Sequence, residues 1–82
     1  MYKKISVATP EDAIISLCKT EYMYDIIAES DKKKILKILK SNYGSDSKIV
    51  KDGIFGMPLL VLDTFTDFKD AKEIFFNIEK HI

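Results

Sequence analysis

The chain has 82 residues, of which 46% are hydrophobic and 32% charged, a composition that suits one globular domain spanning residues 1–82. Thirteen basic and thirteen acidic residues cancel, which disfavours a dedicated nucleic-acid binder because such proteins usually carry a basic excess. One cysteine excludes an internal disulfide, the single histidine excludes the common zinc patterns, and no apolar run reaches the roughly 20 residues that span a bilayer.

The first two predicted elements are a strand and a helix. Residues Lys3–Thr9 alternate Ile5 and Val7 with polar neighbours, which is the period-two pattern of a strand. Thr9 then suits the N-cap, and Pro10 the first turn, of a helix that runs to about residue 20. Apolar residues at helical spacing form its predicted inner face: Ala13, Ile14, Leu17 and Cys18.

The middle of the chain contains one ambiguous segment and one clear helix. Residues Tyr22–Ile27 are rich in aromatic and β-branched side chains, which favours a second strand; an extension of the first helix is the alternative. Ser30 then caps a helix that ends at Gly44, a residue suited to the left-handed conformation that follows many helices. The predicted buried side of this helix is apolar: Ile35, Leu36, Ile38 and Leu39.

The last two elements are an apolar strand and a C-terminal helix. The strand opens at Pro58 and continues through Leu59–Leu62, because a proline cannot donate to a sheet ladder and belongs at its first position. Thr66 or Asp67 caps the final helix. The predicted order is β-α-β-α-β-α, which is typical of an α/β domain with parallel, helix-covered strands.

Five stretches of the chain follow one recurring pattern of strands and helices. In order they are KKISVATPEDAII, YMYDIIAES, DKKKILKILKSNYG, GMPLLVLD and TDFKDAKEIF. Together they resemble the glutaredoxins of the thioredoxin superfamily over most of the chain, in pattern rather than identity. The resemblance implies a minimal three-layer glutaredoxin-like domain with a cis bond between Met57 and Pro58. It also implies a short or missing fourth strand, because few residues separate Pro58 from Phe68.

The resemblance further implies where an active site would stand. Glutaredoxins carry Cys-x-x-Cys or Cys-x-x-Ser at the N-terminus of the first helix, where the helix dipole lowers the thiol pKa. Here Asp12 and Ile15 occupy the two cysteine positions. Of the pair that contacts glutathione before the last helix, Asp70 matches and Lys69 does not. The expected protein is therefore redox-inactive, and glutathione is a disfavoured ligand.

Three further features bear on chemistry. Cys18 lies on the predicted apolar face, where a free cysteine usually packs as a small hydrophobe; a reactive thiol is the alternative. His81 stands next to the C-terminus with no partner in the pattern, so a solvated side chain is expected. A basic stripe on the second helix is either a solvated face or a contact surface for an acidic partner or nucleic acid: Lys32, Lys33, Lys34, Lys37 and Lys40.

The leading hypothesis is a small non-catalytic protein that acts by protein–protein recognition. Phe55 and Met57 flank Gly56 in an irregular segment, where exposure would give an adhesive patch and inward packing would fill the core instead. Small single-domain proteins of AT-rich genomes are often phage or mobile-element products, so a host protein is the expected partner. The predicted contact residues are Phe55, Gly56, Met57, Pro58, Asp12, Asp70, Lys33 and Lys37.

Two alternatives belong to other classes. If Tyr22–Ile27 is helical, the chain reads as a winged-helix nucleic-acid binder with a wing at residues 48–62 that turns at Asp52-Gly53, and with Lys32–Lys40 as the recognition helix. Zero net charge and the absence of arginine disfavour it. A redox enzyme acting through Cys18 is the third hypothesis. In each case the single cysteine and the lack of a signal pattern predict a cytoplasmic protein, and no cofactor is expected.

Overall fold

A computed structural model describes residues 2–8 and 12–80. Its elements are β1 (Lys3–Ala8), β2 (Ile14–Lys19), β3 (Tyr24–Glu29), α1 (Lys33–Asn42), β4 (Leu59–Phe65) and α2 (Phe68–Lys80). The four strands form one antiparallel sheet in the order β1-β2-β3-β4. The predicted β-α-β-α-β-α order and the glutaredoxin-like three-layer domain are therefore wrong, as is the expectation of a short or missing fourth strand.

The error lies in β2, which the apolar spacing assigned to a helix. Ile15 and Leu17 point to one face of the sheet and Ser16 and Cys18 to the other, and all four are buried because β2 is a central strand. A strand that is buried on both faces is apolar throughout, so its pattern also fits a helix. Three residues of the predicted helix start lie outside the described part of the chain: Thr9, Pro10 and Glu11.

The other predicted elements are confirmed, with shifted ends. β3 begins two residues later than predicted, and because Tyr22–Ile27 is not helical, the helix required by the winged-helix alternative is absent from this segment. β4 begins at Leu59, one residue after the predicted first position Pro58, and the peptide bond before Pro58 is trans. The cis bond implied by the glutaredoxin resemblance is thus wrong. Pro58 loses no ladder donor at this position, and its carbonyl accepts a hydrogen bond from the Ser30 amide at 3.1 Å.

The sequence indicates the end of α1 and the start of α2 correctly, but the predicted Ser30 cap of α1 is wrong. The N-cap position is Lys32, which makes no side-chain cap hydrogen bond, and the Ser30 hydroxyl accepts a hydrogen bond from the Lys32 amide at 3.1 Å. Gly44, with φ of +64°, follows α1, and the amides of Gly44 and Ser45 donate to the carbonyls of Ser41 and Lys40. These are the two hydrogen bonds of a Schellman motif. At the start of α2 the Asp67 carboxylate accepts from the Lys69 amide at 2.9 Å, which makes Asp67 the N-cap.

The main core lies between the sheet and the helices. We call this side of the sheet the inner face. α2 packs across β2, β3 and β4, with Phe75 at 1% exposure, and α1 inserts Leu36 beside β4. The strands contribute alternate residues to this core, as period-two geometry requires: Ile15, Leu17, Ile26, Ala28, Leu60 and Leu62. Within residues 2–8 and 12–80, neither helix is long and apolar enough to cross a membrane.

Candidate functional site

The opposite side of the sheet, which we call the outer face, is covered by a loop and by the N-terminal segment. Its buried apolar residues are Cys18, Ile27 and Leu59, and Tyr2 and Val61 pack against them. The segment that lies over this face is Asp52–Met57, which we call the outer-face loop. Because binding residues often lie on loops that a rigid scaffold positions, the outer-face loop is the candidate site.

The outer-face loop is closed by backbone hydrogen bonds at its base. The amides of Val50 and Leu59 each donate to the other's carbonyl, at 2.7 and 2.8 Å. Inside this bridge the Gly53 amide donates to the Met57 carbonyl at 2.8 Å, and Gly56 turns the chain with φ of +78°. The segment proposed as a wing is therefore a minimal hairpin with one bridge.

A buried carboxylate fixes the tip of the loop to the sheet. Glu29, at the end of β3, is fully buried, and its two oxygens accept the amides of Ile54 at 2.9 Å and Phe55 at 2.8 Å. Hydrogen bonds to a charged acceptor are about twice as strong as neutral ones, and a buried charge is costly without them. Glu29 therefore sets the position of the two residues at the loop tip.

Gly53 is the residue that lets the loop approach so closely. A Cβ atom at this position would collide with the carboxylate of Glu29 and would lie 2.8 Å from the backbone oxygen of Met57. We expect Gly53→Ala to displace the loop from Glu29 and to lower the free energy of unfolding by about 1–3 kcal/mol, the range for overpacking.

Urea denaturation measures this loss. The matched control is Gly44→Ala, where a new Cβ meets no atom within 4 Å and only the positive φ is strained. We expect Gly53→Ala to lower the free energy of unfolding more than Gly44→Ala does. We also expect faster hydrogen exchange of the Ile54 and Phe55 amides in the Gly53 variant. If the Gly53 variant keeps those amides as protected as in the parent, the close packing of loop and carboxylate is contradicted.

The fixed loop displays an apolar patch. Val50 is 51% exposed, Phe55 40% and Ile54 39%, and the Lys4 ammonium lies over the Phe55 ring, 4.7 Å from its centroid. Beside these side chains is an open groove of about 570 Å³, lined by Tyr2, Val50, Asp52, Gly53, Ile54 and Leu59. Exposed apolar side chains that are held in place and surround a concavity are typical of binding surfaces.

A polar row crosses the outer face beneath this patch. The strand register places Lys4, Cys18, Asp25 and Thr64 side by side, one from each strand. The Thr64 hydroxyl donates to Asp25 at 3.0 Å. Burial and then the Asp25 carboxylate raise the pKa of the Tyr2 phenol, which places this phenol near the same carboxylate. Within this row Asp25 is thus paired with Thr64 and lies near Tyr2, whereas the Lys4 ammonium lies over the Phe55 ring.

Neither nucleophile of the outer face is activated. Burial raises the pKa of the Cys18 thiol to about 11, and the Asp25 and Glu29 carboxylates act in the same direction against the opposing Lys4 ammonium. The Ser16 hydroxyl is buried without a hydrogen-bond partner in the described structure, so no base is placed to take its proton. The arrangement suits packing and recognition better than covalent chemistry.

The raised pKa of Cys18 gives a direct prediction. Because the thiolate is the reactive species, a pKa of about 11 leaves Cys18 mostly protonated at pH 8. We expect iodoacetamide to alkylate the folded protein about a hundredfold more slowly than the urea-unfolded chain at pH 8, and the folded-state rate to rise about tenfold per pH unit until it levels off near the pKa of about 11. Mass spectrometry measures both rates. Rapid alkylation of the folded protein at neutral pH would show an activated thiol and support the redox hypothesis instead.

The structure brings together only some of the predicted contact residues. Phe55, Gly56, Met57 and Pro58 form the loop and its exit, with Phe55 exposed and Met57 half-buried. Asp12 forms an ion pair with Lys32 at 2.8 Å and lines a depression of about 280 Å³ that includes Met57. The remaining three lie on the helices that cover the inner face, so they are not part of the outer-face loop: Asp70, Lys33 and Lys37.

Several residues of the site were not singled out from the sequence, among them Glu29, Tyr2 and Lys4. Glu29 carried a usable signal, because it follows Ile27 by two positions in an apolar strand and so belongs to a buried face. A single acidic residue on a buried face is expected to accept hydrogen bonds from nearby donors. The sequence does not identify which loop provides those donors. Tyr2 and Lys4 carried no signal, since their role depends on the register of β1.

The described residues contain no group of three or more histidine, cysteine or acidic side chains that could hold a metal ion. His81 lies outside the described residues.

Comparisons with known proteins identify no family for this chain. No family model, no curated protein and no solved structure matches it.

Proposed function

We propose that the protein is a non-catalytic recognition domain that binds a protein partner through the outer-face loop. The observation that carries the proposal is the pair of hydrogen bonds from the Ile54 and Phe55 amides to the fully buried Glu29 carboxylate, which we call the Glu29 clamp. These bonds hold the tip of an exposed loop in place. The clamp places Ile54 and Phe55 in fixed, partly exposed positions. A loop that is ordered before binding loses less entropy when a partner docks, so its apolar side chains contribute more of their burial to affinity.

The surroundings of the loop support recognition rather than catalysis. The Cys18 thiol is buried with a raised pKa, and the Ser16 hydroxyl lacks a base. The patch instead has an aromatic ring, a lysine over that ring and an adjacent groove. Aromatic anchors beside a concavity are the features that dominate the energetics of protein interfaces.

The test uses a defined ligand. Peptides selected from a random phage-displayed library against the immobilised domain are synthesised and titrated by isothermal calorimetry. We expect Phe55→Ala to weaken the selected peptides by about tenfold or more, as loss of an aromatic anchor does at interfaces.

Phe76→Ala is the matched control, because Phe76 is also exposed, at 44%, and also has a lysine ammonium near its ring, that of Lys72. Phe76 lies on α2, away from the outer-face loop. Affinity that falls with Phe76→Ala and not with Phe55→Ala would place recognition on the helices and refute the proposed face.

A further inference from the structure

The β1–β2 pair carries a local positive charge in a chain whose formal net charge is zero. The two strands contain Lys3, Lys4 and Lys19 and no acidic residue. Lys3 and Lys19 lie directly opposite each other, an arrangement that destabilises a strand pair by like-charge repulsion. Within the described residues the ion pair that forms is between Lys32 and Asp12, so these three ammonium groups lack a carboxylate of their own.

Lys3 and Lys4 lie on β1, at the open edge of the sheet, and Lys19 lies on the neighbouring strand β2. β1 pairs with β2 alone, whereas the other edge, at β4, is bridged by Val50 and by the Ser45 hydroxyl, which donates to the Val61 carbonyl at 2.6 Å. The second side of β1 therefore presents backbone groups that no described strand pairs. Ile5, in the middle of β1, is 43% exposed, and the Lys4 ammonium connects this edge to Phe55 in the outer-face loop.

We propose that the partner is an extended acidic segment that adds to the sheet along β1. Its backbone would pair with β1, and its carboxylates would lie on the outer face near the Lys4 ammonium, because Lys3 and Lys4 are adjacent in the strand and point to opposite faces. Its alternate apolar side chains would lie on the other face. Strand addition of this kind takes affinity from main-chain hydrogen bonds and specificity from alternate side chains. A second copy of the chain brings no carboxylate on its own β1, so charge complementarity selects a different, acidic chain. This inference rests on the proposed function and names the chemistry of its partner.

An opposing interpretation of the same features is protection of the edge. The register of β1 shifts between Lys4 and Ser6, and both bulges and lysines are devices that keep sheet edges from pairing. The two interpretations differ in one observable consequence, which is whether a suitable acidic strand pairs with β1 at all.

The experiment titrates a capped peptide of about eight residues with alternating Glu and Val into ¹⁵N-labelled protein. We expect shifted amide signals in β1 and slower exchange of its edge amides. Replacing Glu by Lys in the peptide, or methylating its alternate backbone nitrogens, should weaken binding by about tenfold. The double variant Lys3→Glu/Lys4→Glu should weaken it by a similar factor, whereas Lys33→Glu/Lys37→Glu on α1 changes the same number of charges and should have little effect.

Each outcome separates this inference from the proposed function. If no β1 amide shifts, or if the Lys peptide or the methylated peptide binds as well as the parent peptide, strand addition is overturned and the lysines protect the edge. The proposed function is then still tested separately, because the affinity of the library-selected peptides for the Phe55→Ala variant shows whether they bind the outer-face loop. If the acidic peptide responds to the α1 double variant and not to the β1 double variant, the partner site lies on the lysine stripe and the inference fails.

Discussion

Replacing Glu29 with glutamine should free the outer-face loop and lower the free energy of unfolding by about 2 kcal/mol. Glutamine has the size of glutamate but no charge, and an NH₂ group replaces one of the two carboxylate oxygens. This NH₂ group donates hydrogen bonds and cannot accept one from a backbone amide. One of the Ile54 and Phe55 amides then has no acceptor in a site where Glu29 is fully buried. Urea denaturation measures the loss, and amide exchange at the two loop positions shows where it arises.

Glu73→Gln is the matched control for the Glu29 substitution. Glu73 is exposed on α2, and surface substitutions usually change stability by less than about 0.5 kcal/mol. The Glu29 variant should also bind the selected peptides more weakly, because the loop must then be ordered during binding. Equal stability of the two variants, with unchanged exchange at Ile54 and Phe55, would contradict the role given to the buried carboxylate.

Phe75→Ala should have the largest effect on stability, about 3–5 kcal/mol. Phe75 is 1% exposed and packs in the inner core, where α2 crosses the sheet, so truncation removes buried apolar surface and leaves a cavity. A domain of this size has little stability to lose, so Phe75→Leu gives a milder second variant if the alanine variant does not fold. The denaturant midpoint and its slope measure both changes.

Phe76→Ala provides the comparison for the core. Phe76 is the next residue on the same helix and is 44% exposed, so its truncation should cost about 1 kcal/mol or less. If the two substitutions cost the same, α2 does not present Phe75 to the sheet, and the packing of the helix on the inner face is refuted.

The sequence predicted five of the six elements because each has a local signal with a physical cause. β4 is an apolar run that starts after a proline, α1 ends at a glycine with positive φ, and α2 begins at an aspartate cap. These signals act within a few residues of the chain, so they do not depend on which strands are neighbours.

The remaining features depend on contacts between distant residues. β2 forms a strand because it is enclosed by two neighbours, and its apolar residues on both faces fit a helix equally well. Glu29 reaches amides 25 and 26 residues away in the chain, and no local pattern identifies such partners. The glutaredoxin resemblance replaced this missing information with a parallel topology and a cis proline, and both are wrong for this chain.

A chemical-shift map of one library-selected peptide on the ¹⁵N-labelled protein tests the recognition face most directly. The outer-face loop, held by Glu29 and beside the open edge of β1, is expected to contain the largest shifts, from Val50 to Leu59 with continuation into β1. Shifts confined to α1 and α2, with the Ile54 and Phe55 amides unmoved, would contradict the assignment of recognition to this face.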